Sequence, residues 1–128
     1  MAISEGLRGG AGLRVADADT ALALGSGDVP VLGTPRVLAL AEAATVDALA
    51  GHLPEGATSV GTEVALTHTA ASPVGAEVRA TARLRRVDGR RLLFDVEVGQ
   101  GGRTVARGTV ERVVVDRARF TAAARAAR

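Results

Sequence analysis

The chain has no cysteine, so a disulfide, a cysteine-based zinc site and a thiol nucleophile are all excluded. It has no lysine either; all sixteen basic residues are Arg. Fourteen acidic residues bring the net charge to only +2, so the arginines do not add up to a strongly basic surface. Together with the many Ala and Gly residues, Arg in place of Lys reads as genomic composition before it reads as a binding signal. Trp and Tyr are missing and only two Phe occur, Phe94 and Phe120. That leaves almost nothing on which bases could stack, and no nucleic-acid reader motif appears. No apolar run reaches the ~18 residues a membrane span needs, because Arg36, Glu42 and Asp47 interrupt the best candidate. The first ten residues, Met1 to Gly10, lack the apolar core of a signal peptide. The expectation is a soluble cytoplasmic protein that contacts neither membrane nor nucleic acid. Its core must be built from Val, Leu and Ala, and burial in an oligomer would help such a shallow core.

What is present is one long helix candidate, Val31 to Ala50, followed by a run of strands. Thr34 is a good N-cap and Pro35 suits the first helical position. Leu38, Ala41, Thr45, Ala48 and Leu49 share a face at helical spacing. Ala39, Ala43 and Ala50 put small side chains on other faces, and Gly51 with Pro54 marks the stop. Before this helix, a first strand is expected over about Gly10 to Ala16, then a helical turn through Ala21–Leu24 and a flexible Gly25–Asp28 loop placed to act as a lid. After it the period changes to two. Val60, Thr62, Val64, Leu66 and His68 alternate with Gly61, Glu63, Ala65, Thr67 and Thr69. Val78, Ala80, Ala82 and Leu84 alternate with arginines and Thr81; Asp88-Gly89 signals a hairpin; Leu92, Phe94, Val96 and Val98 form the return strand. Thr104 to Val115 is the last strand. The order gives an α+β protein, a hot-dog fold in which a long central helix is wrapped by a curved antiparallel β-sheet. One domain spans 1–128, with 1–9 and 121–128 as loose ends, the latter a frayed helix. Dimerisation would cover the sheet's remaining edge.

Three polar residues stand out. Thr34 begins the helix, where an ordinary capping role would explain it. Glu42 lies at the margin of the apolar stripe, between a solvated position and a partly buried one in which a carboxylate serves as base or nucleophile. His68 ends the apolar face of the first meander strand, and a lone histidine there is commonly structural. A hydroxyl, a carboxylate and an imidazole together are the parts of acyl transfer, although most domains contain such a trio. One His and one Glu are too few for a metal site, so none is expected. His52 reads as exposed. Arg79, Arg83, Arg85, Arg86, Arg90 and Arg91 surround one hairpin; they could receive phosphates, but a solvated strand face explains them better.

The stretch from Thr34 to Glu111 resembles the fluoroacetyl-CoA thioesterase family of hot-dog proteins. The residues that carry the resemblance are Gly33-Thr34-Pro35 with Glu42, Ser59-Val60-Gly61-Thr62, Thr67-His68-Thr69-Ala70-Ala71-Ser72-Pro73-Val74-Gly75, Val87-Asp88-Gly89-Arg90-Arg91-Leu92 and Gly108-Thr109-Val110-Glu111-Arg112. The resemblance implies hydrolysis of a small acyl-CoA to free acid and CoA by a Thr34/Glu42/His68 triad. In it Gly61 lies against the acyl group and Arg112 stands near the active site. It implies no cofactor, CoA being part of the substrate, and a homodimer or tetramer. One departure is plain. The family's namesake guards its pocket with phenylalanines before the helix, whereas Gly25 to Val31 here contains no aromatic. Fluoroacetyl selectivity is therefore not implied. Two other classes fit the same scaffold: a non-catalytic hot-dog protein that binds an acyl-thioester or other apolar ligand, and a hydratase or dehydratase acting on an enoyl-thioester.

Overall fold

Alternating strand patterns and one alanine-rich helix assemble as a sheet that curls round the helix in the computed structural model, which describes residues 3–127. The strands are β1 (Arg8–Arg14), β2 (Ala57–His68), β3 (Glu77–Asp88), β4 (Arg91–Gln100) and β5 (Arg103–Asp116). Among the described residues three α-helices accompany them, α1 (Ala21–Leu24), α2 (Thr34–Leu49) and α3 (Arg117–Ala126), with a 3-10 turn over Asp17–Asp19. The sheet order is β1-β3-β4-β5-β2, antiparallel throughout, so β1 and β2 are its edges.

The inward faces of β3 and β4 are those the period-two pattern marks. Val78, Ala80, Ala82 and Leu84 meet Leu92, Phe94, Val96 and Val98, all buried. Against them α2 lays Val37, Leu40, Ala41, Ala44, Thr45, Ala48 and Leu49. The close approach of helix to sheet runs through Ala44 and Ala48, not through Ala39, Ala43 and Ala50, which are exposed. The β3–β4 hairpin turns on Gly89-Arg90, with Asp88 still paired to Arg91. Gly89 supplies the positive φ (60°) that such a two-residue loop needs at its first position. On the outer face Arg85 pairs with Asp95, and Arg107 with Glu97 at 2.8 Å. The hydrogen bond from Arg85 holds the Asp95 carboxyl below its usual range. Part of the arginine-rich strand face is therefore taken up by solvated cross-strand ion pairs.

Several boundaries differ from the expectation. The helix begins at Thr34, not Val31, because Val31 and Leu32 are held extended by bridges to Pro73 and Thr20. β1 starts at Arg8, with Arg8 and Gly9 in register with Arg83 and Ala82, so the chain is ordered into the sheet before residue 10. The C-terminal segment forms α3 from Arg117, capped by the Asp116 carboxylate, which accepts from the Arg119 N–H at 2.9 Å. Residues 1, 2 and 128 of the two expected loose ends lie outside the described residues. His52 is half-buried in the turn after α2. Asp47, exposed on α2, accepts the Gly10 N–H of edge strand β1 at 2.9 Å. No helix among the described residues is long and apolar enough to cross a membrane.

Candidate active site

Thr34 is positioned by what precedes it. Gly33, extended at φ −79° and ψ 145°, occupies the cap position, so Thr34 is the first helical residue and not the N-cap. The Gly33 N–H donates to the Asp19 carbonyl at 2.9 Å, and Asp19 also receives Arg36 Nε at 3.1 Å. These bonds fix the start of α2 to the turn before α1. With its hydroxyl released from capping, Thr34 Oγ1 lies 2.8 Å from Nδ1 of His68, the last residue of β2. The other ring nitrogen, Nε2, is buried and has no hydrogen-bond partner among the described residues. A polar atom left so invites a donor or acceptor from outside the chain.

Glu42 stands eight residues further along α2, about 12 Å up the helix axis. Its carboxylate is one-third exposed and forms an ion pair with Arg112, Nη1 to Oε2 at 3.2 Å. Arg112 is buried and comes from β5, where it is paired with Gly61 of β2. Its other nitrogens donate to Ser59, Nε to Oγ at 2.8 Å and Nη2 to the carbonyl at 3.0 Å. Burial pushes the guanidinium below its ordinary value, and Glu42 opposes that shift. Gly61 makes room for the carboxylate. A Cβ at Gly61 would sit 2.3 Å from Glu42 Oε2 and 3.6 Å from Arg112 Nη1.

That arrangement depends on a feature the alternation of β2 does not reveal. The pairing of β2 with β5 shifts between Gly61 and Glu63, leaving Thr62 as an extra residue whose hydroxyl donates to Glu111 Oε2 at 3.1 Å. A bulge reverses the parity of a strand. Ser59 and Gly61 consequently share the helix-facing side with Val64, Leu66 and His68, whereas the uninterrupted pattern puts Gly61 on the opposite face. Without the bulge Glu42 would have met the side chain of Thr62.

The structure thus brings the five residues singled out in the sequence into two groups, Thr34 with His68, and Glu42 with Gly61 and Arg112. No hydrogen bond joins the groups among the described residues, and along β2 they are about 20 Å apart. Sequence reasoning missed Ser59, which anchors Arg112; its place in the Ser59-Val60-Gly61-Thr62 motif was the available signal. Next to the Thr34 end lies the Gly25–Asp28 loop, flanked by the exposed aliphatic residues Leu22, Leu24 and Val29. Leu24 Cδ1 reaches within 3.0 Å of where a Gly33 Cβ would be.

A five-stranded antiparallel sheet curled round one helix, with a carboxylate on that helix and an imidazole on the facing strand, defines a hot-dog protein of the thioesterase class. Solved structures agree. A thioesterase superfamily member from Thermus thermophilus matches with a TM-score of 0.88 at 27% identity, over 97% of this chain and 92% of that one. The crystal structure of fluoroacetyl-CoA thioesterase matches more fully, with a TM-score of 0.92 at 34% identity, over 100% and 99% of the two chains. The fluoroacetyl-CoA thioesterase of Streptantibioticus cattleyicolor is 42% identical over 95 residues, which are 74% of this chain and 68% of that protein. Residues 15–118 match the model of the family described as fluoroacetyl-CoA-specific thioesterase. The chain belongs to that family.

Proposed function

We propose that this chain hydrolyses small acyl-CoA thioesters, with Glu42 as the reacting carboxylate, His68 as the acid–base group and Thr34 as the hydroxyl that orients the imidazole. The observation that carries the reading is the seat of Glu42: a carboxylate held by a buried arginine directly over a residue with no side chain. Such a seat holds a carboxylate oxygen over Gly61, and a small acyl group would lie beside it. Glu42 either attacks the thioester carbonyl or takes a proton from the water that does. In both courses the C–S bond breaks, the departing thiolate takes a proton from His68, and water supplies the oxygen of the free acid. Arg112, whose three nitrogens donate to Glu42 and Ser59, would hold the carboxylate in its reacting position. One relative has been solved as a complex with fluoroacetate and CoA, in keeping with this substrate class.

The two residue groups are joined, in this reading, by a second copy of the chain. β2 is a twelve-residue edge strand with no neighbour on its outer side among the described residues, the kind of edge that pairs with another chain. Antiparallel pairing of β2 with itself about a two-fold axis at Ala65 sets Val64 opposite Leu66 of the partner subunit and brings His68 to the bulge at Gly61 and Thr62 of the partner subunit. Thr34 and His68 of one copy would then face the partner's Glu42, Gly61 and Arg112, and a homodimer would hold two such sites.

The test is release of free thiol over a panel of acyl-CoAs. Glu42→Gln is expected to lower kcat by about 10³-fold and His68→Ala by about 10²-fold. Unchanged release in both variants would remove the assignment. Because the segment before α2 carries aliphatic residues where the namesake has an aromatic gate, acetyl-CoA and fluoroacetyl-CoA should turn over at comparable kcat/KM. A strong preference for the fluorinated substrate would contradict this part of the reading.

A further inference from the structure

The hydrolytic site leaves α3 unexplained. This ten-residue helix has no buried residue, so the core does not require it. It carries Arg117, Arg119 and Arg125 and no acid. None of the three forms an ion pair among the described residues; on the sheet Arg85, Arg91 and Arg107 do, and Arg79, Arg83, Arg86 and Arg90 do not. Arg117, Thr121 and Arg125 follow at i, i+4 and i+8 and therefore make one stripe, with its two arginines about 12 Å apart. Beside that stripe runs a groove of about 490 Å³ whose lining includes Gly56, Asp116, Arg117, Thr121, Ala122 and Arg125. Asp116 is the one acid in the lining, and its carboxylate is already taken by the Arg119 N–H.

The groove lies at the same end of the β2–β5 pair as the Glu42 group. Gly61 pairs with Arg112, Ser59 with Val114 and Ala57 with Asp116, and the Arg117 N–H donates to the Gly56 carbonyl at 3.0 Å. Arg117 follows Arg112 by five residue steps along the end of extended β5, on the order of 16 Å. The pantetheine arm of CoA, from thioester sulfur to pyrophosphate, is about four peptide units long and spans on the order of 14 Å. A thioester placed at Glu42 would therefore bring its phosphates to the arginine stripe.

We propose that the groove beside α3 binds the phosphates of the CoA nucleotide, with Arg117 and Arg125 as the phosphate ligands. Arginine suits this role, since its planar fork matches phosphate oxygens by charge-assisted hydrogen bonds. The inference rests on the acyl-CoA reading given above, and its test separates the two. The Arg117→Gln/Arg125→Gln double variant, in which the backbone bond to Gly56 is kept, is compared with the unaltered chain on acetyl-CoA and on acetyl-pantetheine, which lacks the nucleotide. The expected result is a KM for acetyl-CoA raised by about tenfold with kcat unchanged, and no change on acetyl-pantetheine. An unchanged KM for acetyl-CoA, or equal rises on both substrates, would overturn the proposal. Calorimetric titration with CoA itself gives the same comparison without hydrolysis. If the unaltered chain cleaves neither substrate, the hydrolytic reading fails, while a tenfold weaker CoA affinity in the variant still supports the groove and an equal affinity refutes it.

Discussion

Gly61→Ala should yield a folded protein with kcat lowered by about 10²-fold. The added methyl would meet Glu42 Oε2 at 2.3 Å, a distance no real Cβ contact allows. What must give way is the far end of a flexible side chain, since the first atom beyond Glu42, Arg112 Nη1, lies at 3.6 Å. The backbone at Gly61 is extended, has no positive φ and is already in register with β5, so alanine adds no strain of its own. The carboxylate is one-third exposed and can turn toward water when displaced, which keeps the stability cost small. Its reacting oxygen, however, moves by an ångström or more, and misplacement on that scale costs about 10²-fold in rate. Thermal melting and kcat measured on the same preparation decide the matter. Full activity in a folded Gly61→Ala protein would show that the position of Glu42 over Gly61 has no part in catalysis.

Gly9→Ala should do the opposite and act on the fold. The Gly9 Cβ position is 2.2 Å from the Ala48 amide nitrogen and 2.4 Å from the Ala44 carbonyl oxygen. Both are backbone atoms of α2, so no side chain can swing aside, and edge strand and helix must separate. Overpacking a tight contact of this kind costs about 3 kcal/mol, equivalent to a fall in Tm on the order of 10 °C. Gly12, on the same strand, is the control. Its Cβ would lie 3.6 Å from Arg79 Nη1 in ordinary contact, so Gly12→Ala should leave Tm nearly unchanged. A Gly9→Ala protein that melts like Gly12→Ala would refute the backbone contact between β1 and α2.

Much of this structure can be read from side-chain periodicity, because burial on one face writes itself into the sequence. The inward residues of β3 and β4 and the Gly51 stop of α2 follow from pattern and turn chemistry alone. Thr34 illustrates where such reading ends. A threonine before a proline has the composition of an N-cap, but the extended Gly33 took the cap, and the hydroxyl was left to reach His68 through tertiary contact. The bulge at Thr62 is a second case. One extra residue changes which side chains face the helix, and nothing in the alternation of Val60 to His68 announces it. The family motif nevertheless marked Gly61, Glu42 and Arg112, whose association the structure displays. The distance between that group and Thr34–His68 had no signal in one chain's sequence, because the proposed arrangement across two copies would be a property of the pair.

The central claim, a site that takes its carboxylate from one copy and its imidazole from the other, is tested most directly by mixing two inactive variants. Glu42→Gln and His68→Ala proteins, unfolded together and refolded, or exchanged as subunits, give half their dimers as hybrids. In each hybrid one of the two sites holds both the intact Glu42 and the intact His68, and the other holds neither. The mixture should therefore recover about one quarter of the unaltered protein's thioesterase activity. If both groups belonged to one chain, every site in the hybrid would lack one of them. A mixture with proven subunit exchange that stays as inactive as the two variants alone would contradict the account.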